Sequence, residues 1–132
     1  MKPSPNHTGL AYNRTRQATL ATQLLLAATH WSRLRGLMCT SPEGFASGSG
    51  LWIVPCHGVH TFAMNFPIDV AYLSSDKKVV HLEHSLKPWR IARVSRKASS
   101  VLELPATTLS STGTEVGDTI EISWPEGSKA KA

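Results

Sequence analysis

The run Ile68-Asp-Val-Ala-Tyr-Leu-Ser-Ser-Asp-Lys-Lys-Val-Val-His-Leu-Glu-His-Ser85 decides the fold class. Both flanks alternate in the period-two manner of a strand with one face turned inward, and the polar Ser75-Asp-Lys77 between them suits a turn, so the run predicts a β-hairpin. Upstream it joins Trp52-Ile-Val-Pro-Cys-His-Gly-Val-His-Thr-Phe-Ala-Met-Asn-Phe-Pro67, which holds the most conspicuous reactive side chains of the chain. Further short β-prone runs cover 19–28, 51–54, 61–64, 99–104 and 119–124, and Pro, Gly, Asn and Asp separate most of them. Six or seven strands at this spacing predict a mainly β, compact single domain of sandwich or barrel type.

Helix signals are few. Trp31, Leu34 and Met38 recur at i, i+3 and i+7, with Thr29 as N-cap candidate and Gly36 near the end, which predicts one short N-terminal helix. Residues 106–112 suit a single helical turn, and 39–50, rich in Ser, Gly and Pro, read as a loop. Residues 1–17 and 125–132 lack any period and are expected to be mobile tails around one β-rich domain over 18–124.

The 132 residues carry a formal charge of +5. Lys2, Arg14, Arg16, Lys129 and Lys131 against Glu126 place a net +4 outside residues 18–124 and leave +1 for the body, so the overall charge is no strong nucleic-acid signal. No signal peptide is visible: the first 17 residues are polar, and Leu24-Leu-Leu-Ala-Ala28 is too short for a membrane span. The expected compartment is the cytoplasm, where Cys39 and Cys56 would be reduced. A bridge between them stays open should the chain be exported. Neither oligomeric state nor cofactor is implied, and none is predicted.

Cys56-His-Gly-Val-His60 puts a thiol and two imidazoles within five residues. In extended form Cys56 and His60 share a face, the minimum arrangement for thiolate chemistry with His60 or His57 as base. The bland alternative is a buried Cys and backbone-bonded histidines. Zinc ligation through the same residues, joined by Asp69, His81, Glu83 or His84, follows no known ligand spacing, and no metal is predicted. Asp69 interrupts an otherwise apolar strand and must find donors or face water, either as a structural acceptor of backbone N–H groups or as a pocket acid. Lys87-Pro-Trp-Arg-Ile-Ala-Arg-Val-Ser-Arg-Lys97 holds five cations beside a tryptophan. It suits an anion or single-stranded nucleic acid through Lys87, Arg90 and Arg93, or a solvated connection between strands.

Four blocks in order, Arg35-Gly-Leu-Met38, Trp52 to Leu73, Val101-Leu-Glu-Leu-Pro-Ala106 and Val116-Gly-Asp118, resemble the uncharacterised bacterial and archaeal family known as domain of unknown function 192, over roughly residues 18–123. The resemblance implies a compact, mainly β domain with a short helix near its start and brings no established activity. Arg35, Gly36, Met38, His60, Met64, Pro67, Asp69, Glu103, Pro105, Gly117 and Asp118 match its pattern, whereas Ala63 and Asn65 stand where members often carry tryptophan and lysine.

Together these readings predict a binding module for a small molecule or polypeptide, with its site lined by His60, Met64 and Asp69 and with Arg35 as charge partner of Asp69. A Cys56/His60 enzyme and an anion-binding segment over 87–97 are the alternatives.

Overall fold

The computed structural model describes residues 8–27, 42–57, 66–90 and 94–125. Among them seven strands form one curled, half-barrel sheet: β1 (Gly9–Asn13), β2 (Ala18–Ala27), β3 (Ser49–Ile53), β4 (Ile68–Leu73), β5 (Val79–Leu86), β6 (Ser100–Pro105) and β7 (Ile120–Ser123). A 3-10 turn at Pro42–Phe45 precedes β3, and one short helix, α1 (Thr108–Thr112), follows β6. The helix expected over 29–38 and the strand expected over 61–64 lie outside the described residues.

The strands run in the order β5-β4-β6-β3-β2-β1-β7, with β2 and β3 parallel and every other pair antiparallel. The two ends of this order meet. Lys78 bridges Thr119, the Val79 N–H donates to Asp118 O at 2.9 Å, and the Ile120 N–H donates to Lys77 O at 2.9 Å. Two irregularities help the sheet curl this far. In β5 the register slips between Leu73↔Val79 and Tyr72↔His81, and again between Val70↔Glu83 and Ile68↔Leu86, so β5 bulges twice.

Both faces of the middle strands are covered, which is why all six residues of β4 are buried. One face gathers Ala27, Leu51, Ile53, Ile68, Val70, Tyr72 and Val101, with Phe45 and Ala98 against them. The other gathers Ala11, Leu20, Leu24, Ala71, Leu73, Leu102, Leu104 and Ile120, closed by Leu109 of α1. Fully burying side chains of this size stabilises by ~1.5–3 kcal/mol each, so Leu109 alone gives a five-residue helix a reason to stay docked.

Residues 1–17 do not form a tail throughout. Gly9–Asn13 is β1, held between β2 and β7. Five residues are too few to display a period, and the strand is held by β2, which follows it in a local hairpin, and by β7, far along the chain. Gly9 is needed there because a Cβ on it would lie 2.5 Å from Cε3 of Trp124.

The turn after β1 carries a buried polar knot. Asn13 Nδ2 donates to Asp118 Oδ2 at 2.9 Å and to Thr114 Oγ1 at 3.0 Å, Arg16 Nε donates to Asp118 Oδ2 at 3.0 Å, and the Glu115 N–H donates to the same oxygen at 2.9 Å. Burial alone would raise the Asp118 carboxyl, but the bonds from Asn13, Arg16 and Glu115 and the charge of Arg16 outweigh it, and the group sits below its ordinary value. Arg14 lies 3.6 Å from Glu121, and Arg16 also reaches Glu115 at 2.8 Å. Both arginines thus belong to the body. Residues 8–125 then carry a net +3, with +2 outside them.

Candidate functional site

Asp69 and Glu103 sit on adjacent strands, yet they face opposite ways. Asp69 stands opposite Leu104, and Glu103 stands opposite Val70 on one side and Leu51 on the other. Directly opposed residues share a face and successive residues alternate, so the two carboxyls point to the two sides of the sheet.

Asp69, fully buried, looks towards α1. Its Oδ1 accepts the N–H of Ser85 and its Oδ2 accepts the N–H of Leu109, both at 2.8 Å. Each donor lies at a place where the backbone departs from its element. Ser85, with φ +49, is in the second bulge of β5; Thr107, with φ +75, leads into α1 and makes no side-chain cap of its own. Asp69 supplies that cap from another strand, and a carboxylate near a helix start is also favoured by the local dipole. This is the arrangement of a structural acceptor satisfied by backbone N–H groups, with both oxygens engaged inside the sheet's curl.

Glu103 has no such satisfaction. It is 3% exposed, and its Oε2 is enclosed without a hydrogen-bond partner among the described residues. Burial pushes its carboxyl up to about 8, so at neutral pH the group is mostly protonated. Around it on the same face the register lays two rows across the sheet, Glu83–Val70–Glu103–Leu51 and His81–Tyr72–Val101–Ile53. His81 stacks edge-on against Tyr72 at 4.9 Å between ring centroids and donates from Nε2 to Glu83 Oε2 at 2.8 Å. A protonated carboxyl in this setting can both donate and accept a hydrogen bond. The signal for Glu103 was in plain view: Val101-Leu-Glu-Leu-Pro105 is an apolar strand interrupted by one carboxylate, the same anomaly that drew attention to Asp69.

Cys56 is half-buried against the Glu103 face of the sheet, and its N–H donates to Ser99 O at 2.9 Å. His57 is exposed and donates from Nδ1 to Ala98 O at 2.7 Å, since a carbonyl oxygen can only accept. His60, Met64 and Arg35 lie outside the described residues, as do Cys39 and Arg93. Lys87 and Arg90 are exposed in the segment that follows β5. No three residues among the described His, Cys, Asp and Glu come together as a metal-binding group. Among the described residues no helix is long and apolar enough to cross a membrane.

Comparison with known proteins agrees with this architecture. The model of the DUF192 family, described as uncharacterized ACR, matches residues 11–122. A UPF0127 protein of Thermococcus sibiricus is 31% identical over 117 residues, covering 85% of this chain and 72% of the relative. Another, of Pyrococcus furiosus, is 31% identical over 114 residues, covering 83% of this chain and 94% of the relative. The chain belongs to the DUF192 family, whose curated members here carry the name UPF0127. A crystal structure from Novosphingobium aromaticivorans, of a protein of unknown function, superposes with a TM-score of 0.73 over 86% of this chain and 82% of that one. At 17% identity the likeness is one of fold.

Proposed function

We propose that this chain is a non-enzymatic binding module for a small molecule or a polypeptide segment, and that the ligand meets Glu103 on the face shared with Tyr72, Val70 and Leu51. The observation that carries the reading is the contrast between the two buried carboxyls. Asp69 has a backbone donor on each oxygen, as a scaffold group should, while Glu103 keeps an enclosed oxygen that has no partner among the described residues. An unsatisfied buried polar group costs about 1–3 kcal/mol, a penalty that a ligand group bonded to Oε2 would offset. A protonated carboxyl matches a partner that also donates and accepts, such as an amide.

His60, Met64 and Arg35 stay candidates for lining the same ligand. Asp69 takes a different part in this reading: it holds the bulge and the helix that stiffen the sheet behind Glu103. Residence in the cytoplasm belongs to the same proposal.

A screen of small amides, amines and carboxylic acids, followed through the main-chain amide signals of Leu51, Val70 and Glu103, tests it. Shifts confined to those signals and lost in Glu103→Leu support the reading. Shifts that survive in Glu103→Leu, or that map elsewhere, overturn it.

A further inference from the structure

Three irregularities meet at one end of β1. The ladder between β1 and β2 slips there: Gly9 pairs with Leu24 and Ala11 with Ala21, so Thr22 and Gln23 together stand against Leu10 and β2 bulges. Both bulge N–H groups donate to Gly48 O at 2.9 Å, which pins the bulge, and a bulge of this kind re-aims a side chain. On the other side of β1, Ser123 closes β7 opposite Leu10, and Pro125, which has no N–H, cannot carry that ladder further. Trp124, between them, folds its ring against Gly9, where a Cβ would lie 2.5 Å from Cε3 and 2.6 Å from Cζ3.

A pocket of about 340 Å³ opens between these elements, and its lining includes Leu10, Thr22, Ser123, Trp124 and Pro125. None of the described residues that line it is charged. Leu10 and Thr22 are exposed, and Ser123 and Trp124 are half-buried. The hydroxyls of Thr22 and Ser123 and the indole N–H of Trp124 are not engaged by other described residues. The site combines one aromatic wall, seated by a glycine, with hydroxyls supplied from two different strands.

We propose that this pocket is a second binding site, for one neutral saccharide ring, with Trp124 as the surface on which the ring stacks. A sugar ring has a face of C–H groups, which suits the electron-rich face of an indole. Around that face runs a rim of hydroxyls that donate and accept, as do those of Thr22 and Ser123. The volume lies at the small end of the range for small-molecule sites. An ionised ligand would find no counter-charge on the described lining, and a wholly apolar one would cover the hydroxyls without pairing them. A proline-rich peptide fits less well, because its groove is lined by several aromatic side chains and here the described lining has Trp124 alone. In the strand order β6-β3-β2-β1 the pocket lies three strands from Glu103, so it does not depend on binding there.

Amide chemical shifts of the full chain, followed while glucose, galactose, N-acetylglucosamine, cellobiose, lactose or chitobiose is added, test the proposal. Glucuronate and cyclohexanol serve as the charged and the apolar counterpart. The expected result is saturable movement of the Leu10, Thr22 and Ser123 main-chain signals and of the Trp124 indole N–H with at least one neutral sugar, and weaker binding of both counterparts. Trp124→Ala should weaken binding roughly tenfold. Thr22→Val, at an exposed strand position, should melt like the parent and weaken binding by about threefold to tenfold, the worth of one hydrogen bond. Glu103→Leu should leave the affinity unchanged, which separates this site from the one proposed above. No movement at about 50 mM sugar, where a millimolar site would be nearly full, would overturn the proposal. Movement confined to other signals, parental affinity in Thr22→Val, or glucuronate or cyclohexanol binding as tightly as the best sugar would overturn it as well.

Discussion

The carboxylate of Asp69 and the main-chain N–H of Leu109, forty positions apart, meet at 2.8 Å, and the other oxygen of the same carboxylate holds Ser85. One side chain thereby ties a bulge to a helix start, and both should loosen together when it is removed. Asp69→Ala leaves the buried Leu109 N–H and the partly buried Ser85 N–H without an acceptor and is expected to destabilise by roughly 2–3 kcal/mol in urea unfolding, with Asp69→Asn losing somewhat less. Hydrogen exchange should accelerate at both Ser85 and Leu109. Acceleration at only one of them would contradict the shared role.

Glu103 gives stability an unusual dependence on pH. Between the ordinary glutamate value and about 8, the folded chain keeps a proton that the unfolded chain has released, so stability falls as pH rises through that window and levels off above it. At ~1.4 kcal/mol per pH unit the loss amounts to roughly 4–5 kcal/mol. Glu103→Leu removes this dependence, and the variant should be the more stable protein at pH 8 while the two converge near pH 4. Parallel stability curves for the two chains would refute the assignment.

Asp118 works in the opposite sense. Its folded value lies below the ordinary one, so its contribution is fully present above the unfolded-state value and is lost as pH falls through the folded value. Asp118→Asn is expected to be about 2 kcal/mol less stable than the parent at pH 6, since bonds to a charged acceptor are lost, with the gap closing in strong acid. Urea midpoints measured from pH 2 to 6 check this.

Gly9→Ala places a methyl carbon against the Trp124 ring and 2.9 Å from Ser123 O. The indole can swing aside but the strand cannot, so a loss of ~1–3 kcal/mol is expected, together with a shift in tryptophan emission. Unchanged emission and stability would mean that β7 has room to retreat.

The strands were legible where a residue's neighbours in sequence are also its neighbours in burial. Alternation in Ile68 to Ser85 reads out the β4–β5 hairpin because turn and pairing are local, and the apolar runs at 19–28, 51–54, 99–104 and 119–124 mark β2, β3, β6 and β7 to within two residues or so. β1 was not legible although its pairing with β2 is a local hairpin, because the five residues Gly9–Asn13 are too few to show alternation and its other edge is filled by the remote Ile120–Ser123. The oddity of Asp69 was visible as a charge among apolar residues, but its donors, Ser85 and Leu109, are brought to it by a bulge and a helix start that leave no trace in periodicity. Glu103 carried the same visible oddity, and only the register showed that it faces away from Asp69.

The pairing of β1 with β7 also bears on how the chain acquires its shape. Asn13 and Asp118, 105 positions apart, are bonded directly, and β1 has its second edge filled only when β7 arrives. Contacts this remote in sequence require closure of nearly the whole chain, which slows folding relative to a protein built from local hairpins. During synthesis β1 therefore emerges well before β7 and waits for it, its open edge exposed to any other extended segment nearby. Production of the protein should accordingly be most sensitive to temperature and concentration while that wait lasts.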